Sequence, residues 1–166
     1  MSVLGTLYGF NGTYNQESEL TPGFGYWLNF SEAGSTTITG LPITSLTISL
    51  SQGWNLISGI SETVDVSSIT DPDGIIVSGT LYGFIGTYEN TSDLAPGKGY
   101  WINTYAGGDI TISSGGAAKT RSVDRTVKAN KLSFNGNDLY FGVSIPEEEM
   151  LSYQLPPKPP IGAFDV

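Results

Sequence analysis

An all-β protein, built from repeated small β-sandwich or barrel-like units, is the fold this sequence predicts, and three observations carry the expectation. Short runs alternate polar with apolar residues, clusters of Gly, Pro, Asn and Asp separate those runs, and one segment occurs twice. No long stripe of apolar residues at helical spacing competes with them.

The repeated segment comes first along the chain. Residues 5–30 read GTLYGFNGTYNQESELTPGFGYWLNF and return at 79–104 as GTLYGFIGTYENTSDLAPGKGYWINT, a shift of 74 residues with 17 of 26 positions identical. The identities include Tyr8/Tyr82, Phe10/Phe84, Tyr14/Tyr88, Pro22/Pro96, Gly25/Gly99, Tyr26/Tyr100 and Trp27/Trp101, so a pattern of packing and turns was duplicated. Within each copy a Pro-Gly-x-Gly turn leads into a strand, and a strand sends Tyr100 and Trp101 to opposite faces.

The other elements follow in order. Thr36-Thr37-Ile38-Thr39, Leu46-Thr47-Ile48-Ser49-Leu50 and Asp109-Ile110-Thr111-Ile112-Ser113 have the period-two pattern of half-buried strands. Turns are expected at Ser51-Gln52-Gly53, Asp71-Pro72-Asp73-Gly74 and Ala106-Gly107-Gly108-Asp109, and a single helical turn at Val66-Ser67-Ser68-Ile69, ahead of the Asp71-Pro72 breaker. Gly115 to Arg121 reads as a small-residue linker, and five of the seven basic residues lie between Ala118 and Lys131. These suit a solvated connector and an edge strand protected by Lys and Arg; docking onto the acidic repeat or an anionic surface polymer is the functional counterpart. Residues 132–143 read as a hairpin turning at Asn135-Gly136-Asn137-Asp138. Glu147-Glu148-Glu149 reads as a solvated charge cluster, Pro156-Pro157-Lys158-Pro159-Pro160 as an extended polyproline-like spacer, and residues 161–166 as an apolar, strand-like run.

Three segments result: 1–41 as a truncated first repeat, 42–115 as a complete second repeat, and 116–166 as a linker with a C-terminal hairpin. A longer parent protein is the expectation, with its neighbouring domains as partners.

Composition narrows the chemistry. With no Cys and no His, disulfides, thiol nucleophiles, imidazole catalysis and the usual zinc ligands are excluded. A net charge of −9 repels nucleic-acid phosphates, so no nucleic-acid partner is expected. No 18-residue apolar span predicts membrane insertion. There is no Gly-x-Ser-x-Gly elbow, no phosphate loop and no dinucleotide fingerprint; an enzyme is not expected, and no cofactor.

Two candidate sites remain. Tyr14 and Tyr88 sit beside small and polar neighbours, so their rings, with Asn15 and Asn90, are candidates for binding a polysaccharide, against the alternative that the repeated aromatics form core. Asp71 and Asp73 supply part of a calcium loop but lack its third acid and distal Glu, and as an Asx turn they need no metal.

Gly53-Trp54-Asn55-Leu56-Ile57-Ser58, followed by Leu94-Ala95-Pro96-Gly97-Lys98-Gly99-Tyr100-Trp101-Ile102, resembles the GWNLIS…L-x-PGKGYW module of secreted and cell-surface bacterial proteins. The first copy departs from it with Phe24 where Lys98 stands. The stretch from Leu139 to Asp165 is similar to the segment preceding the sorting region of proteins exported by type IX secretion. The resemblance implies an extracellular or cell-surface location and a non-catalytic structural or adhesion role, and brings no catalytic residues with it.

Overall fold

The computed structural model describes residues 2–35, 37–115 and 128–160. Among these the protein is all-β, made of short antiparallel strands. Among the described residues no helix is long and apolar enough to cross a membrane.

The main core lies between two layers. In one, β3 (Ser45–Leu50) pairs with β10 (Gly108–Ser113), and in the other β4 (Gly53–Ser58) pairs with β9 (Gly99–Thr104). Alternation does the work predicted of it: Ile48 and Leu50 from β3 and Ile110 and Ile112 from β10 are buried in one cluster with Ile57, Tyr100 and Ile102. The short pair β5 (Val64–Asp65) and β8 (Asp93–Leu94) closes one side, adding Val64 and Leu94. A 3₁₀ turn at Val66–Ser68 follows, capped by the Asp65 carboxylate, which accepts from the Ser67 N–H.

The hairpins of the two repeat copies fold alike, but residues 25–30, expected to enter a strand, make only isolated bridges where the second copy forms β9. β1 (Tyr8–Phe10) pairs with β2 (Tyr14–Gln16) in the register Phe10↔Tyr14, and β6 (Tyr82–Phe84) pairs with β7 (Tyr88–Asn90) in the register Phe84↔Tyr88. Tyr8 bridges to Trp27 as Tyr82 does to Trp101. The Tyr26 hydroxyl accepts from the Thr21 N–H at 2.9 Å, and Tyr100 accepts from Ala95 at the same distance.

β4 joins the copies. One edge carries β9 of the second copy; on the other, Phe24 bridges to Ile57, with the Gly25 N–H donating to the Leu56 carbonyl at 2.9 Å and Ser58 donating to Gly23 at 3.0 Å. Glycine is required here, because a Cβ on Gly25 would lie 2.5 Å from the Ile57 carbonyl oxygen. The first copy is therefore bridged to the four-stranded sheet of β4, β9, β6 and β7, yet the burial of the two copies differs. Leu94 is 0% exposed under β3 and β10, whereas Leu20, its counterpart, is 65% exposed.

Three expectations need correction. Residues 37–39 form no strand and Ile38 is 88% exposed; they hold the repeat position of β10, whose pairing partner β3 is already taken. The C-terminal hairpin, β11 (Asn130–Phe134) with β12 (Asn137–Phe141), turns on Asn135 and Gly136 alone, both at positive φ as a two-residue turn demands, so Asn137 and Asp138 belong to the strand. Glu147–Tyr153 is a 3₁₀ segment where sequence suggested only a charge cluster. The basic run at Lys119, Arg121 and Arg125 and the apolar run 161–166 lie outside the described residues.

Candidate functional site

β9 is covered on both faces. Tyr100, 5% exposed, points into the main core, while Trp101, 1% exposed, points the other way into a cluster of aromatics drawn from both repeats.

That cluster is reciprocal. Phe10 of the first copy packs edge-on against Trp101 of the second at 4.8 Å, and Phe84 of the second packs edge-on against Trp27 of the first, also at 4.8 Å. Tyr14 stands 5.2 Å from Phe10 and Tyr88 stands 5.3 Å from Phe84, with similar inclination. Exchanging the copies maps the set onto itself, as an approximate two-fold axis would. Edge-to-face pairs contribute about 0.5–1.5 kcal/mol each beyond area burial, and Phe10–Trp101 and Phe84–Trp27, with Tyr14 against Trp101 at 6.4 Å, bind the copies to each other.

The proline-rich segment crosses this cluster. The Tyr14 hydroxyl donates to the Lys158 carbonyl at 2.7 Å, and the Tyr88 hydroxyl donates to the adjacent Pro157 carbonyl. One tyrosine from each copy thus holds neighbouring peptide units. Pro156 and Pro160 are buried, Pro157 and Pro159 half-buried and Lys158 exposed, a pattern symmetric about Lys158, as is the sequence Pro-Pro-Lys-Pro-Pro itself. Such a chain has no internal hydrogen bonds, which leaves its carbonyls free to accept.

Burial raises the pKa of both phenols. For Tyr14 desolvation is the largest cause, the nearby Tyr88 hydroxyl adds to it, and the Trp27 indole N–H acts in the opposite sense. For Tyr88 desolvation again leads, opposed by the indole N–H of Trp101. Both side chains therefore remain protonated hydrogen-bond donors throughout the neutral range.

Of the four residues predicted to bind a ligand, the structure brings Tyr14 and Tyr88 together and leaves Asn15 and Asn90 apart. The Asn15 amide donates to the Thr13 carbonyl at 3.1 Å and Asn90 donates to Gly79 at 2.6 Å, so both tie down local loops. Tyr14 and Tyr88 are half-buried, not free-standing rings in a polar loop. The sequence did not single out Phe10, Trp27, Phe84 and Trp101 as one group; their recurrence at the same repeat positions, beside a palindromic proline motif, is the signal that links them.

Beside the clamp lies an open cleft of about 750 Å³, with Pro157 in one wall. Phe10, Tyr26 and Trp54 supply apolar faces, and Glu17, Glu19 and Gln52 supply acceptors and an amide. Asp71 is engaged otherwise: its two carboxylate oxygens accept from the Ile75 and Ile76 N–H groups at 2.9 Å each, the work of a turn. Among the described residues no three acidic side chains are grouped to hold a metal ion.

Comparison with protein-family models, with curated proteins and with solved structures found no match.

Proposed function

We propose that this chain is a non-catalytic structural module of a larger extracellular or cell-surface bacterial protein, one that fixes the direction in which its proline-rich segment leaves the β-body. The clamp carries this reading: the aromatics common to both repeats pack on each other, and a tyrosine hydroxyl from each copy donates to the Lys158 or Pro157 carbonyl. Support comes also from the resemblance to secreted tandem modules and from a hydroxyl-rich composition with 14% charged residues. In the full chain, Tyr14→Phe with Tyr88→Phe is expected to release the segment and increase the maximum dimension measured by small-angle X-ray scattering. An unchanged dimension counts against the reading, as would turnover of any polysaccharide by the unaltered chain.

The open cleft favours a second reading, a carbohydrate-binding module. Aromatic faces beside carboxylates and an amide suit a sugar ring, and the volume is that of a small-ligand site. Its test is a titration with soluble polysaccharides followed by tryptophan fluorescence. Saturable quenching that is lost in Trp54→Ala supports it; no response to any polysaccharide removes it.

A further inference from the structure

We infer that the Tyr14/Tyr88 clamp is a recognition site for proline-rich peptide, occupied here by the chain's own residues 156–160 and able to accept a lysine-bearing proline-rich segment of another polypeptide in their place. The inference goes beyond the structural role, because it gives the module a binding activity toward a second chain.

Four observations support it. First, the contacts to the segment are those that serve any polyproline chain: tyrosine hydroxyls donate to main-chain carbonyls, and Pro156 and Pro160 on either side are buried. Nothing in them depends on the segment belonging to the same molecule. Second, the segment's burial is symmetric about Lys158 and the cluster beneath it is reciprocal, so the surfaces match as ligand and groove. Third, charge suits a basic ligand. Residues 1–115 hold ten acidic residues and one basic, whereas the own segment carries Lys158 and no acid. Fourth, among the described residues β11 and β12 pair only with each other, and every residue of both strands is exposed. A segment so attached can leave its groove without breaking the main core.

The test uses the full chain and a dye-labelled synthetic peptide, Gln-Leu-Pro-Pro-Lys-Pro-Pro, the sequence of residues 154–160. In the chain itself that segment competes, at an effective concentration on the order of millimolar. Substituting Pro156→Asp and Pro160→Asp puts carboxylates against an acidic body and vacates the groove. Fluorescence anisotropy is then expected to report saturable binding at least about 10-fold tighter than to the unaltered chain. Adding Tyr14→Phe or Tyr88→Phe is expected to weaken binding about 5-fold each, the effect of one net hydrogen bond. A peptide with alanine for every proline is expected not to bind. Absence of saturable binding to the vacated chain overturns the inference, and so does equal binding of the alanine peptide. Either result leaves the structural reading intact, since that needs only the contact within one chain. If the vacated chain does not fold, the ring NMR signals of Tyr14 and Tyr88 in the unaltered chain answer the same question: their saturable displacement by peptide supports the site, and no movement up to about 10 mM overturns it.

Discussion

Gly25 and Gly99 occupy the same position of the repeat, yet alanine should have opposite effects at the two. At Gly25 a Cβ would lie 2.5 Å from the Ile57 carbonyl oxygen, 2.9 Å from Leu56 Cγ and 3.1 Å from the Ile57 carbonyl carbon. Two of these atoms are backbone of β4 and cannot rotate away, so the strand must shift and strain the 2.9 Å hydrogen bond from Gly25 to Leu56. Overpacking of this kind costs about 2–3 kcal/mol. At Gly99 the nearest atoms to the added carbon are 3.7 Å away, an ordinary contact. There alanine restricts the unfolded chain more than the folded one and stabilises by about 0.5 kcal/mol. For a chain of this length 1 kcal/mol moves the midpoint by about 2–4 °C, so Gly25→Ala should melt about 4–12 °C lower and Gly99→Ala about 1–2 °C higher. Thermal unfolding followed by near-ultraviolet circular dichroism reads both. Equal midpoints for the two variants would refute the claim that the first copy docks on β4 through Gly25.

Other expected outcomes follow from the same contacts. Tyr88→Phe leaves the Pro157 carbonyl without its donor and should destabilise by about 1 kcal/mol in chemical unfolding, as should Tyr14→Phe for Lys158. Folding raises both phenol pKa values above the ordinary 10.0, so the native chain retains protons that the unfolded chain releases. That contribution is complete below about pH 10 and declines as pH rises beyond it, and the double Phe variant should show a shallower loss of stability in alkali. Asp71→Ala strips the acceptor from two backbone N–H groups and should cost about 2 kcal/mol, while calcium should leave the parent's midpoint unmoved.

Much of the fold was legible because the signals were local. Period-two alternation at 46–50 and 109–113 located β3 and β10, and Asn135-Gly136 supplied the residues a two-residue hairpin demands. Residues 37–39 failed by the same reasoning, since alternation reports a face to bury but not whether a strand is available to bury it. The site was less legible. Tyr14 and Tyr88 stood out through repetition, but the segment they hold lies 144 and 69 residues away, a pairing that no window along the chain reveals. Nor does sequence distinguish Leu20 from Leu94, identical residues at identical repeat positions, because their difference depends on which copy lies beneath β3 and β10.

The grip of one tyrosine from each copy on neighbouring peptide units has a mechanical meaning. A pull on the proline-rich segment loads Tyr14 and Tyr88 together, and through Phe10 and Phe84 reaches the tryptophan of the opposite copy. Such a pull would be divided between the two copies before it reached the bridge to β4. In the proposed structural role, the segment is in this way anchored at the seam of the two repeats.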